Sequence, residues 1–142
     1  MPGPKEPFLK FGLICEKVLV EKDNVLTIVR IIDRFEIMAE GQNPPEDMPP
    51  TRILTTFTMA WVGGLGSHSA AFSVITPTGE VRKSRRNFPF HLDTLTQTHS
   101  IVTGARVNLS TAGTYWLEFL LNDVPKGRIP FLVVYKRQQT SN

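Results

Sequence analysis

Side chains alternate with period two through most of this chain, from residue 11 to residue 137. Phe11, Leu13 and Cys15 share one phase and Val18 and Val20 the other, so the period holds but slips near Glu16 and Lys17, as a β-bulge would make it do. Val25 to Ile37 is a long β-branched run with Val25, Val29, Ile31, Phe35 and Ile37 on one side. Asp33 interrupts that side and marks either a second bulge or the point where the strand leaves the core. Ile53, Thr55, Phe57, Met59 and Trp61 predict a strand with the bulkier set inward. Ala70, Phe72 and Val74 predict the next, and the chain from Glu80 should return antiparallel to it. Phe88, Phe90 and Leu92 alternate around Pro89, which cannot donate to a ladder and so demotes this piece to an edge strand or an extended crossing. Clean alternation then resumes at Ile101 to Leu109, Tyr115 to Leu121 and Ile129 to Tyr135.

The segments between these runs are turn-forming. Residues 39–50, "AEGQNPPEDMPP", hold four prolines, a glycine and three acids, which neither pair centrally in a sheet nor continue a helix, so they predict a long loop in which order and disorder compete. "GGLGSHS" permits positive φ and predicts a flexible inter-strand loop, and "TPTGE" has proline and glycine at turn spacing. "LNDVPKGRIP" reads as a hairpin loop with Asp123, Pro125 and Gly127 as turn formers. No window of ten residues has a helical period. The expectation is an all-β antiparallel sandwich of seven to nine strands, since two facing sheets bury every apolar phase at once.

Length sets the domain count. With 142 residues, one domain has enough volume for a core without disulfides. Pro2, Pro4 and Pro7 make residues 1–10 a flexible or extended arm, residues 11–137 the single domain, and residues 138–142 a frayed tail. Cys15 is the lone cysteine, so no internal disulfide forms and a reducing, cytoplasmic setting is expected. The start lacks the pattern of a secretory signal, and no apolar run is long enough for a membrane helix, so no membrane partner is expected. A net charge of +3 is too small alone to imply nucleic acid.

Leu109, Gly113 and Tyr115 stand as L-x-x-x-G-x-Y. This arrangement resembles the tyrosine corner of the immunoglobulin-like β-sandwich, in which a tyrosine opening the penultimate strand bonds its hydroxyl to backbone upstream. The resemblance covers residues 11–137 by pattern and implies a structural role for these three residues, with Trp61 in the part of the core tryptophan. Leu117 stands where antibody-type domains have their second core cysteine, and Thr111 where an aspartate is common, so antigen-type function is not implied. The stretches "LICEKVLVEKDNVLTIVRIIDRF" and "GTYWLEFLLND" are also similar to a group of small uncharacterised bacterial proteins, from which no activity carries over.

Motifs for chemistry are absent. His68, His91 and His99 are too scattered for a local metal pattern and read as strand-end surface. Cys15, between apolar neighbours, reads as a buried inert thiol. "GGLGSHS" lacks both the Lys-Ser/Thr pair and the following helix of a phosphate loop, and Asp33 and Glu36, three apart on a strand, face opposite ways. The distinctive charge is "VRKSRR", where Arg82, Lys83, Arg85 and Arg86 precede the aromatic Phe88 and Phe90. Alternation sends Arg82 one way and Lys83 and Arg85 the other, which favours a solvated edge over a single patch. The expectation is a non-enzymatic protein-binding module, with no cofactor, metal or small-molecule substrate, acting as a subunit or accessory component of a larger assembly or as a homo-oligomer. Arg82, Lys83, Arg85 and Arg86 are its candidate partner-binding residues, ahead of the 40–50 and 63–67 loops. The alternative is nucleic-acid or polyanion binding through the same run.

Overall fold

The computed structural model of the protein describes residues 6–140. They form an all-β structure of ten strands: β1 (Phe8–Val20), β2 (Leu26–Ile31), β3 (Arg34–Gly41), β4 (Thr51–Val62), β5 (Gly66–Ile75), β6 (Val81–Lys83), β7 (Phe88–Leu92), β8 (Thr98–Leu109), β9 (Gly113–Leu121) and β10 (Val124–Gln139). One sheet has the order β2-β1-β4-β8, and the other β3-β10-β9-β5-β6, with β7 also pairing β5. Among the described residues there is no helix long and apolar enough to cross a membrane.

Ten strands exceed the expected seven to nine, and the run 25–37 is one reason. It contains two strands because the chain changes sheet at Ile32 and Asp33. The Ile32 amide donates to the Ile14 carbonyl at 2.7 Å in the first sheet, and the Asp33 carbonyl accepts from the Leu132 amide at 3.0 Å in the second. Having crossed, β3 runs parallel to β10, so the sandwich is not wholly antiparallel. Pro89 acts as expected, since β7 pairs with β5 alone and forms an edge.

The bulge in β1 lies between Leu9 and Phe11 rather than near Glu16. It inverts the phase that follows. Gly12 and Ile14 face the core, and Phe11, Leu13 and Cys15 lie on the outer face of the first sheet, opposite Ala60, Thr58 and Thr56 of β4. Gly12 is required there, because a Cβ would overlap the Phe119 ring. Cys15 is nonetheless buried, beside the larger Leu13 and Phe11.

The core fills the gap between β4 and the β5-β9-β10 face. Phe57, Met59 and Trp61 meet Phe72, Leu117, Phe119, Leu121 and Phe131, all buried. Phe72 packs against Phe57 at 5.5 Å and edge-on against Phe119 at 5.9 Å between ring centroids. Trp61 is fully buried in this layer.

Tyr115, at the start of β9, is also fully buried, and its ring stacks on Phe131 at 5.2 Å. Its hydroxyl donates to the Thr111 carbonyl at 2.8 Å, which ties the β8–β9 crossover back onto the strand it feeds. Gly113 makes that turn at φ +137°, with Pro77 3.1 Å from where a Cβ would stand. Leu109, fully buried, anchors the strand before it.

Several connections are tighter than composition suggests. β1 starts at Phe8, with Pro7 buried, and β10 continues to Gln139, so the arm and the tail expected at 1–10 and 138–142 are partly strand; residues 1–5 and 141–142 lie outside the described residues. The glycine segment is a three-residue link, 63–65, between β4 and β5. The acidic proline loop is pinned to β10, where Tyr135 donates to the Pro45 carbonyl at 2.6 Å and Arg137 to that of Pro44 at 3.0 Å, and Met48 enters the core. The last hairpin turns at Asn122 and Asp123, both at positive φ, so Pro125 and Gly127 belong to β10 and flank a bulge instead of forming the turn.

Two substitutions test this arrangement. Tyr115→Phe removes the hydroxyl bond while keeping the ring, and urea unfolding should show a loss of about 1 kcal/mol. Gly12→Ala forces Phe119 from its position and should cost about 1–3 kcal/mol in the same measurement.

Candidate functional site

A two-sheet sandwich that does not close into a barrel keeps open edges. On one side those edges are β8 of the first sheet and the β6–β7 segment of the second. Between them lies a cleft of about 660 Å³. Its floor is apolar, with Phe57 of β4, Phe72 and Val74 of β5 and Val107 of β8. Its walls are basic: Arg82, Lys83, Arg85 and Arg86 on one side, Arg52 and Arg106 on the other, and no carboxylate among the described lining residues.

The four cations singled out in the sequence thus meet in one place, against the expectation that alternation separates them. Regular strand ends at Lys83. Ser84 then ties the chain to β5 twice and to the following turn once: its amide donates to the Phe72 carbonyl at 2.8 Å, its hydroxyl accepts from the Phe72 amide at 3.3 Å, and the same hydroxyl donates to the Arg86 carbonyl at 3.0 Å. This knot replaces the pleat, so Arg85 and Arg86 need not follow the phase that β6 sets.

Each cation has a distinct setting. Arg82 is half-buried; its guanidinium donates to Glu80 at 3.2 Å and, across the cleft, to the Asn108 carbonyl of β8 at 2.6 Å. Lys83 pairs with Asp123 at 2.6 Å, and Arg52 donates to the Asn108 side chain at 3.2 Å. Arg86 lies over the Phe88 ring at 5.2 Å. Among the described residues, Arg85, Arg86 and Arg106 have no carboxylate in ion-pair range. Their charge faces solvent and the cleft. Arg52 and Arg106 were not anticipated, because they lie thirty residues from Arg82 on one side and twenty-four on the other, and only the β4–β8 pairing sets Leu54 against Arg106 and Arg52 against Asn108.

The histidines take other places. His68 Nε2 lies 2.9 Å from the Leu65 carbonyl, and His91 bridges Ser67 at 2.9 Å and Asp93 at 3.2 Å. His99 stacks on Phe90 with centroids 5.0 Å apart, joining β8 to β7. Among the described residues no three His, Cys, Asp or Glu side chains gather as a metal site would require. Burial pushes the Cys15 thiol above its ordinary range and holds the His99 imidazole below its own.

No family model and no curated protein matches the chain. Among solved structures it is similar to the Pseudomonas fluorescens alkylpurine DNA glycosylase AlkC bound to DNA containing an abasic site analog, with 11% identity and a TM-score of 0.46. The alignment covers 87% of this chain and 30% of that one, so the chain spans less than a third of that protein's length.

His99 gives the fold a pH dependence of known sign. The unfolded imidazole titrates near 6.5 and the folded one lower, so between the two values the unfolded chain binds more protons and stability is lost as the pH is lowered. Thermal unfolding should show the wild type losing more stability than His99→Phe on going from about pH 7.5 to 5.5, a span that brackets the free imidazole value.

Proposed function

We propose that this domain is a non-enzymatic protein-binding module whose interface is the basic cleft, and that its partner presents an acidic surface. The observation that carries the reading is the convergence of six cations from three segments on one concave, apolar-floored site without a carboxylate in its described lining. Arginine-rich rims around apolar floors suit protein recognition, since guanidinium groups bind carboxylates bidentately while the floor takes up apolar side chains. The lone buried cysteine fits a reducing, cytosolic setting, and the domain reads as a subunit or accessory component of a larger assembly.

Polyanion binding rests on the same charge, but one observation weighs against it. Single-strand binders present aromatic faces to bases. Here the aromatics beside the basic run are already engaged: Phe90 is buried and stacked on His99, and Arg86 covers Phe88. The aromatic rings serve the core first.

The fold reading that accompanies this function is the immunoglobulin-like sandwich. It is supported by β1-β4-β8 facing β5-β9-β10, which follows the A-B-E and C-F-G order, and by Tyr115 at the start of the penultimate strand. Trp61 lies on β4, the counterpart of strand B, so it departs from the core tryptophan of antibody domains, which sits on strand C.

Replacing Lys83, Arg85 and Arg86 with alanine leaves the Arg82–Asn108 bridge in place and should weaken capture of acidic protein partners by about tenfold or more, on the order of 0.5 kcal/mol per charge. The measurement is affinity capture of wild type and variant, with bound protein and bound nucleic acid quantified separately and folding checked by circular dichroism. Unchanged protein capture by the variant removes the cleft as the interface. Salt-sensitive nucleic acid as the dominant bound species supports polyanion binding instead.

A further inference from the structure

The cleft has a second chemical property that its charge conceals. In an antiparallel pair, residues alternate between those that exchange both backbone bonds with the partner and those whose N–H and C=O point away from it. β8 pairs with β4 without a register shift over all twelve residues. Because the Asn108 carbonyl is held by Arg82 from across the cleft, the Arg52–Asn108 pair is of the second kind, and so are Leu54–Arg106 and Thr56–Gly104, two and four residues on. The far side of the sheet agrees: Ile14, opposite Phe57, directs its carbonyl away from β4 to the Ile32 amide, as the alternation requires. Gly104 and Arg106 therefore direct backbone donors and acceptors into the cleft. Among the described residues the Gly104 carbonyl accepts from the Thr103 hydroxyl, at 3.3 Å, and nothing lies within 4 Å of where a Gly104 Cβ would stand.

Long edge strands are ordinarily blunted by a proline, a bulge, a short length or a covering loop. β8 has none of these. It is twelve residues long, regular and free of proline, and along the cleft its edge is bridged by the Arg82–Asn108 bond at one end, with the His99–Phe90 stack beyond the other.

We infer that the cleft receives an extended acidic segment of a partner protein as an added strand on β8, bonded through the main chain of Gly104 and Arg106 and selected by the surrounding cations. This rests on the protein-binding reading above and specifies how the partner is held. A strand presents side chains alternately to two faces, so a segment that alternates carboxylates with apolar residues satisfies both the rim and the floor. Nucleic acid has no main-chain amides to continue a ladder, so the free edge favours a peptide.

The test uses the full chain and a fluorescein-labelled peptide, acetyl-(Glu-Val)4-amide, followed by fluorescence anisotropy. Two derivatives are N-methylated, one at every glutamate and the other at every valine. A strand bonds a sheet edge through alternate amides, so one derivative should bind about tenfold or more weakly and the other like the parent. Gly104→Pro, which removes the central edge donor without breaking a β4 bond, should give a similar loss, with unfolding temperature as its control. Equal binding of both derivatives, or an oligonucleotide outcompeting the parent peptide, overturns strand addition. So does failure of the parent peptide to bind at millimolar concentration. Each of these results leaves the cleft interface to be decided separately by the Lys83, Arg85 and Arg86 substitutions.

Discussion

Interdigitation of β4 with β5 and β9 is the contact on which the rest of this molecule depends. Phe57, Phe72 and Phe119 form a chain of rings from one sheet to the other, and burial of these side chains with Trp61, Leu117 and Leu121 is the main favourable term holding the layers together. Where the layer is thick enough to fill the gap, as under Gly12, no side chain fits beneath Phe119. Toward the β8 and β6 edges the filling thins, and the same Phe57 and Phe72 that close the core become the floor of the cleft. The candidate site is thus the margin of the hydrophobic core, which explains why its base is apolar while its rim is charged.

Two polar devices hold that margin open. The Ser84 knot fastens the basic segment to β5, and the Arg82 guanidinium spans to the Asn108 carbonyl on the opposite sheet. Arg82 therefore differs from its neighbours: it is a strut, half-buried and bonded at both ends, whereas Arg85 and Arg86 have no carboxylate in ion-pair range among the described residues. Grouping the four residues by charge alone hides this division.

The Tyr115 corner acts next to this strut, just past Asn108 where β8 ends. A crossover from β8 in one sheet to β9 in the other has few ladder bonds of its own, and the Tyr115 hydroxyl supplies a bond to Thr111 there, while Gly113 provides a backbone conformation closed to most other residues. By fixing where β8 ends, this corner fixes the register along which Asn108, Arg106 and Gly104 face the cleft.

Alternation made most of the strands and the Tyr115 corner legible from the residues alone, because period-two burial and the needs of a tight crossover are local properties of the chain. The inward set Phe57, Met59 and Trp61 and the edge status of the Pro89 strand belong to the same class. What lay beyond local reading were choices settled by distant partners. Asp33 could mark a bulge or a departure, and only the Ile14 and Leu132 bonds on either side make it a change of sheet. The phase of Phe11, Leu13 and Cys15 was set by a bulge at the start of β1 that composition does not signal. Arg52 and Arg106 join the cleft through pairing across more than fifty residues. Strand identity follows from short-range pattern, but the gathering of charge into a site, and the direction of every free edge, arise only when separate strands are laid in register.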